Sequence, residues 1–98
     1  MSESTFKTKL IREIKKIFPG AMVFHLDPTE CQGIPDLLIL YENKWAALEG
    51  KENAKASHRP NQDRYVSKMN DMSFASFIYP ENKEEVLNEL QRTFKSRR

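Results

Sequence analysis

The 98-residue chain has one cysteine, one tryptophan, two histidines and three glycines. With Cys31 alone no intramolecular disulfide can form, and a reducing compartment is the default. His25 and His58 stand at no ligand spacing, which argues against a structural zinc site. No His or Asn/Asp arrangement can be assigned to activate Cys31 as a nucleophile. No apolar run approaches the roughly 20 residues of a membrane span. The start, Met1-Ser2-Glu3-Ser4-Thr5, lacks a basic region followed by an apolar one, so no signal peptide is expected. These absences predict a cytoplasmic protein without membrane contact. Charge of one sign is also lacking: 16 Lys and Arg against 14 Asp and Glu leave a net +2. That balance permits an acidic partner such as nucleic acid without requiring one. The basic end, Lys95-Ser96-Arg97-Arg98, reads first as a solvated tail.

What is present fits one small domain over residues 1–98, with no repeat, low-complexity tract or linker. A core this small makes a stable dimer unsurprising. Phe6, Leu10, Ile14 and Ile17 recur at helical spacing, and Pro19-Gly20 stops them; this predicts a first helix over about 5–18, capped by Ser4 or Thr5. Its Lys7, Lys9, Arg12, Lys15 and Lys16 lie mostly off the apolar stripe and read as a solvated face. A short strand over 21–26 follows, then a polar loop over 27–33. Two central strands, Gly33–Leu40 and Lys44–Lys51, flank a Glu42-Asn43 turn. Residues 52–59 read as loop. A second helix starts near Pro60, with Gln62, Tyr65, Val66 and Met69 on one face, and ends near Asn70-Asp71. A fourth strand runs from Ser73 to Tyr79, and a third helix begins at Asn82 with Glu85 in a capping-box-like pattern. Three consecutive strands imply hairpins, and strand–helix–strand implies a parallel crossover. The expected fold is therefore α/β (α+β): a mixed four-stranded sheet flanked by helices, in the order αβββαβα.

The chemistry concentrates between Gly33 and Gln62. Asp36 opens the most apolar run in the chain, and Glu49 and Lys51 end its partner. Residues one apart on a strand face the same way, so a hairpin brings two carboxylates and an ammonium to one sheet edge. A carboxyl group opening a buried strand is costly unless paired or bound. Magnesium takes one or two carboxylates and completes its shell with water and phosphate oxygens. Asp36 and Glu49 can supply those carboxylates, and the backbone carbonyl of Gly50 a neutral oxygen. Lys51 can position a water or stabilise developing negative charge. Gln62, on the inward line of the second helix, needs hydrogen-bond partners if buried, and the same edge can provide them. Lys55, His58 and Arg59 lie in the connecting loop, where they can contact phosphates.

Gly33-Ile34-Pro35-Asp36, Glu49-Gly50-Lys51 and Gln62 together resemble the PD-(D/E)XK nuclease superfamily. Within it the chain is most similar to the small stand-alone VRR-NUC proteins often encoded by bacteriophages. The resemblance covers nearly the whole chain and implies a restriction-endonuclease-like core. It implies a Mg²⁺-dependent DNA endonuclease, with Mn²⁺ as a substitute and no organic cofactor. By that analogy Asp36 and Glu49 bind metal, Lys51 is catalytic and Gln62 is the additional helix residue. It further implies a homodimer acting on branched DNA such as four-way (Holliday) junctions, in the host cytoplasm where phage-encoded.

Two positions depart from the pattern. Many members carry a further Glu on the first helix, and by spacing to Asp36 that position falls near Lys7, which cannot ligate a metal. Glu3 is the weak substitute and Glu13 a weaker one. Gly50 stands where a bulky or β-branched residue is common. These departures motivate a second reading, a non-catalytic DNA-binding module on a degenerate nuclease scaffold. A small dimeric interaction protein without nucleic acid is a third.

Overall fold

The computed structural model describes residues 2–95; Ser96, Arg97 and Arg98 of the basic tail lie outside the described residues. The first helix, α1, spans Glu3–Ile17. It starts earlier than the sequence predicts because Ser2 is the cap: its Oγ accepts the Thr5 N–H at 3.2 Å. Glu3 thereby falls in the first turn, where the helix dipole favours a carboxylate. Phe18 closes the helix by donating its N–H to the Ile14 carbonyl at 2.9 Å.

Strand β1 (Met22–His25) pairs antiparallel with β2 (Leu37–Tyr41), which pairs antiparallel with β3 (Lys44–Gly50). The β2–β3 turn is the expected Glu42-Asn43 pair, with Glu42 at φ +57°. Helix α2 (Gln62–Met72) then carries the chain over to β4 (Ala75–Ile78), parallel to β3. Helix α3 (Lys83–Lys95) follows. The sheet order is β1-β2-β3-β4, so the described residues form a small α+β domain with a mixed four-stranded sheet and three helices in the order αβββαβα.

The other two helices differ from expectation in how they begin. Asn61, not Pro60, precedes α2, and its left-handed backbone (φ +75°) delays the helix to Gln62. Asn82 precedes α3, but its side chain ties back to β4: Oδ1 accepts the Tyr79 N–H at 2.8 Å and Nδ2 donates to the Phe77 carbonyl at 3.1 Å. The capping-box pairing with Glu85 is replaced by this anchor.

The apolar periodicities set which face each helix covers. Phe6, Leu10 and Ile14 of α1 pack with Leu87, Leu90 and Phe94 of α3 over Leu37, Ile39 and Leu48. On the opposite face, Val66 and Met69 of α2 cover Ala47, Ala75, Trp45 and Phe77. Beyond α2 the sheet is less covered, and Met22 and Phe24 on edge strand β1 are 54% and 42% exposed. Among the described residues, no helix is long and apolar enough to cross a membrane.

Candidate active site

Antiparallel pairing puts the start of β2 beside the end of β3, so Asp36 and Glu49 meet at one sheet edge. Two backbone donors lock them together. The Asp36 N–H donates to Glu49 Oε1 at 3.1 Å, and the Gly50 N–H donates to Asp36 Oδ1 at 3.2 Å. The parallel ladder with β4 continues one residue beyond the strand, since the Lys51 N–H donates to the Ile78 carbonyl at 2.9 Å. Glu49 and Lys51 therefore share a face, with Lys51 Nζ 4.0 Å from Glu49 Oε2.

Gln62 arrives from α2 on that face. Glu49, Lys51 and Gln62 are only 6%, 7% and 6% exposed, so their polar atoms must find partners within the protein. They do: Gln62 Nε2 donates to Glu49 Oε2 at 3.0 Å, and Gln62 Oε1 accepts from Lys51 Nζ and from the Arg59 N–H, each at 2.9 Å. Lys51 Nζ also donates to the Ser57 carbonyl at 3.0 Å, which pins the loop between β3 and α2. The position of Gln62 depends on Gly33. That glycine has φ +92°, and a Cβ there would lie 2.7 Å from Asn61 Cβ, so only glycine lets the start of α2 approach this closely.

The opposite face contributes a residue the sequence analysis assigned to a solvated surface. Lys7 of α1 turns into the site, where its ammonium forms a close ion pair with Asp36 Oδ2 and lies 3.1 Å from Glu3 Oε2. Its stem runs along Gly50, whose Cβ would stand 2.9 Å from Lys7 Cγ. Helical spacing alone put Lys7 beside Phe6 at the flank of the stripe. No local pattern separates it from a solvated lysine; the absence of a side chain at Gly50 leaves room for its stem. Glu3 is thus at the site's rim, as a partner of Lys7. Glu13 is not: it pairs with Lys83 of α3 at 3.0 Å.

Burial sets the electrostatics. Glu49 is pushed up to about 7, first by desolvation and then by the charge of Asp36, against the opposing pull of Lys51, Lys7 and the Asp36 N–H. Desolvation works against the charge on Lys7, but Asp36 and Glu3 outweigh it and leave its ammonium held above the usual lysine range.

The three loop candidates separate. Arg59 lines the cleft beside Gln62. His58 is turned away: its ring stacks on Phe77 with centroids 4.1 Å apart, and Nδ1 lies 2.8 Å from Asp63. Lys55 is exposed on the loop, outside the cleft lining. His25 is exposed at the cleft rim. Cys31 is more than a free loop thiol, since its Sγ lies 2.9 Å from the Tyr65 hydroxyl.

The cleft is about 750 Å³, with Asp36, Glu49, Lys51 and Gln62 in its wall. Among the described residues no three His, Cys, Asp or Glu side chains converge as a metal cage. Two carboxylates do, and an ammonium already neutralises one of them. That donor set suits magnesium, which needs few protein ligands, and Gly50 lies at the same edge to offer its carbonyl. It does not suit zinc, because no histidine or cysteine joins the carboxylates. No protein-family model, curated protein or solved structure matches the chain.

Proposed function

We propose that this protein is a metal-dependent DNA endonuclease of the PD-(D/E)XK type, with a restriction-endonuclease-like core. The observation that carries this reading is the buried chain Glu49–Gln62–Lys51 beside Asp36. A chain built only for stability has little reason to bury an ammonium and a carboxyl group beside the half-buried Asp36 at a cleft, since apolar residues of similar volume serve at least as well. Asp36 and Glu49, with the Gly50 carbonyl, are the residues to hold Mg²⁺ or Mn²⁺. Such an ion, when bound, acidifies a water and offsets charge on a phosphoryl oxygen.

The chain's own groups do the rest. Gln62 and Ser57 fix the Lys51 ammonium beside Glu49, where it stabilises negative charge developing on the scissile phosphate. Arg59, at the mouth of the cleft, and Lys55, farther out on the loop, can hold the DNA backbone through its phosphates. His58 contributes by holding that loop against Phe77.

The proposed substrate is branched DNA, cut by a homodimer that sets two sites on two strands. The exposed Met22 and Phe24 on edge strand β1 support self-association. A reduced cytoplasm, the host's where the gene is a phage's, suits the lone thiol. The test is cleavage of branched DNA in Mg²⁺ by the wild type and by Asp36→Ala. Loss of product in the variant is expected, and cleavage that survives sinks the reading. One observation favours the second reading, a DNA-binding module without catalysis: Asp36 is already neutralised by Lys7. That module would bind junctions in a salt-sensitive way and give no product in either metal.

A further inference from the structure

Lys7 is the site residue that the endonuclease reading leaves without a role. We propose that Lys7 is a tethered cation that keeps the metal's place: its ammonium neutralises Asp36 in the free protein and must leave Asp36 Oδ2 before a divalent ion is held there. This rests on the metal-binding reading of Asp36 and Glu49.

Three observations carry it. Of the four carboxylate oxygens, Asp36 Oδ1 and Glu49 Oε1 are held by backbone N–H groups and Glu49 Oε2 by buried Gln62. Glu49 Oε2 also has the Lys51 ammonium at 4.0 Å, beyond hydrogen-bond distance, whereas Asp36 Oδ2 is in direct contact with a charged side chain, Lys7, from a helix on the other face of the sheet. Second, the arrangement is built for a lysine stem. Cγ, Cδ and Cε of Lys7 would stand 2.9, 3.0 and 3.8 Å from a Cβ at position 50. A glycine near a strand end otherwise weakens the strand, so Lys7 and Gly50 are two halves of one feature. Third, Glu3 also pairs with the ammonium, at 3.1 Å, half-buried and one turn back on α1. Lys7 can therefore give up Asp36 and keep an ion pair, moving only its terminal atoms.

A cation in this position lowers the affinity for a second one. Mn²⁺ binding to wild type, Lys7→Met and Lys7→Met/Asp36→Asn, followed by the electron paramagnetic resonance signal of free Mn²⁺, tests this without DNA or turnover. Methionine keeps an apolar stem over Gly50 and removes the charge. Lys7→Met should bind Mn²⁺ about 10- to 100-fold more tightly than wild type, as expected for a charge a few ångströms away in a partly screened site, and Asp36→Asn should reverse the gain. Asp36-dependent binding of equal strength in wild type and Lys7→Met overturns the tethered-cation role and leaves the metal site standing. Binding that ignores Asp36, or none in either protein, overturns both. Should Lys7→Met fail to fold by circular dichroism, Gly50→Ala decides. Its added methyl displaces the Lys7 stem, so Mn²⁺ binding should tighten, and unchanged or weaker binding overturns the proposal.

Discussion

The folded protein holds the Glu49 proton to higher pH than the unfolded chain does, and this makes stability depend on pH in a calculable direction. The Glu49 carboxyl rises from an unfolded value of 4.5 to about 7 in the fold, through burial and then Asp36. Between those values the native state binds more protons than the unfolded state, so stability falls as pH rises. The penalty is absent below the lower value and complete above the upper one. The full shift corresponds to about 3 kcal/mol. Because the site opens onto a solvent cleft, screening reduces this, and about 1–3 kcal/mol is expected. In a domain of this size that is a drop in Tm of roughly 5–20 °C. Glu49→Gln removes the ionisation. The assay is urea denaturation of both proteins at pH 4.5 and pH 8 in EDTA, followed by circular dichroism. Altered bonding to Gln62 offsets the variant from wild type by a constant, but its stability should lack this part of the fall. Titrating groups away from the site are common to both proteins and cancel in the comparison, while Asp36, Lys51 and Lys7 lose their coupling to Glu49 in the variant and so belong to the same effect. An equal fall in both would refute the assignment of the buried proton to Glu49.

Gly33 and Gly20 share φ +92° but only Gly33 touches another element. Alanine at 20 should cost about 1 kcal/mol of stability, and alanine at 33 about 2–4 kcal/mol because Asn61 must also move; equal losses in chemical denaturation would remove the Asn61 contact from the account. Gln62→Leu strips Glu49 Oε2 and Lys51 of their shared partner, so stability should fall by about 1–3 kcal/mol and cleavage with it; a variant of unchanged stability and activity would show the amide to be a bystander. If self-association uses the open side of the sheet, Phe24→Ser should turn a dimer into a monomer in analytical ultracentrifugation, and a dimer that persists moves the interface elsewhere.

Much of the architecture was legible because each element buries one face. The Phe6-Leu10-Ile14 spacing, the run from Leu37 to Ile39 and the Val66-Met69 stripe each report a helix or strand directly. The antiparallel pairing of the first three strands and the parallel crossover to the fourth followed from the order of elements. Asp36, Glu49 and Lys51 were legible as a cluster because strand periodicity and one tight turn fix their neighbourhood, and Gln62 because an amide on an apolar stripe stands out. Lys7 was not legible. A lysine at a stripe's edge looks the same in sequence whether it meets water or a carboxylate twenty-nine positions away, and only packing distinguishes them. The same holds for Asn61: a left-handed residue before α2 follows from contact with Gly33, which no local pattern encodes. His58 was placed in the correct loop, but its stacking on Phe77 is a long-range choice.

The measurement that bears most directly on the central claim is cleavage of a labelled four-way junction beside a matched linear duplex. It would be run with Mg²⁺, Mn²⁺ and EDTA, using wild type and Lys51→Ala. Symmetric, metal-dependent nicks on the junction are expected from wild type, none in EDTA, and a severe loss with Lys51→Ala. Cutting that is indifferent to EDTA or to Lys51, or no product from a wild type that binds the junction tightly, would contradict that claim.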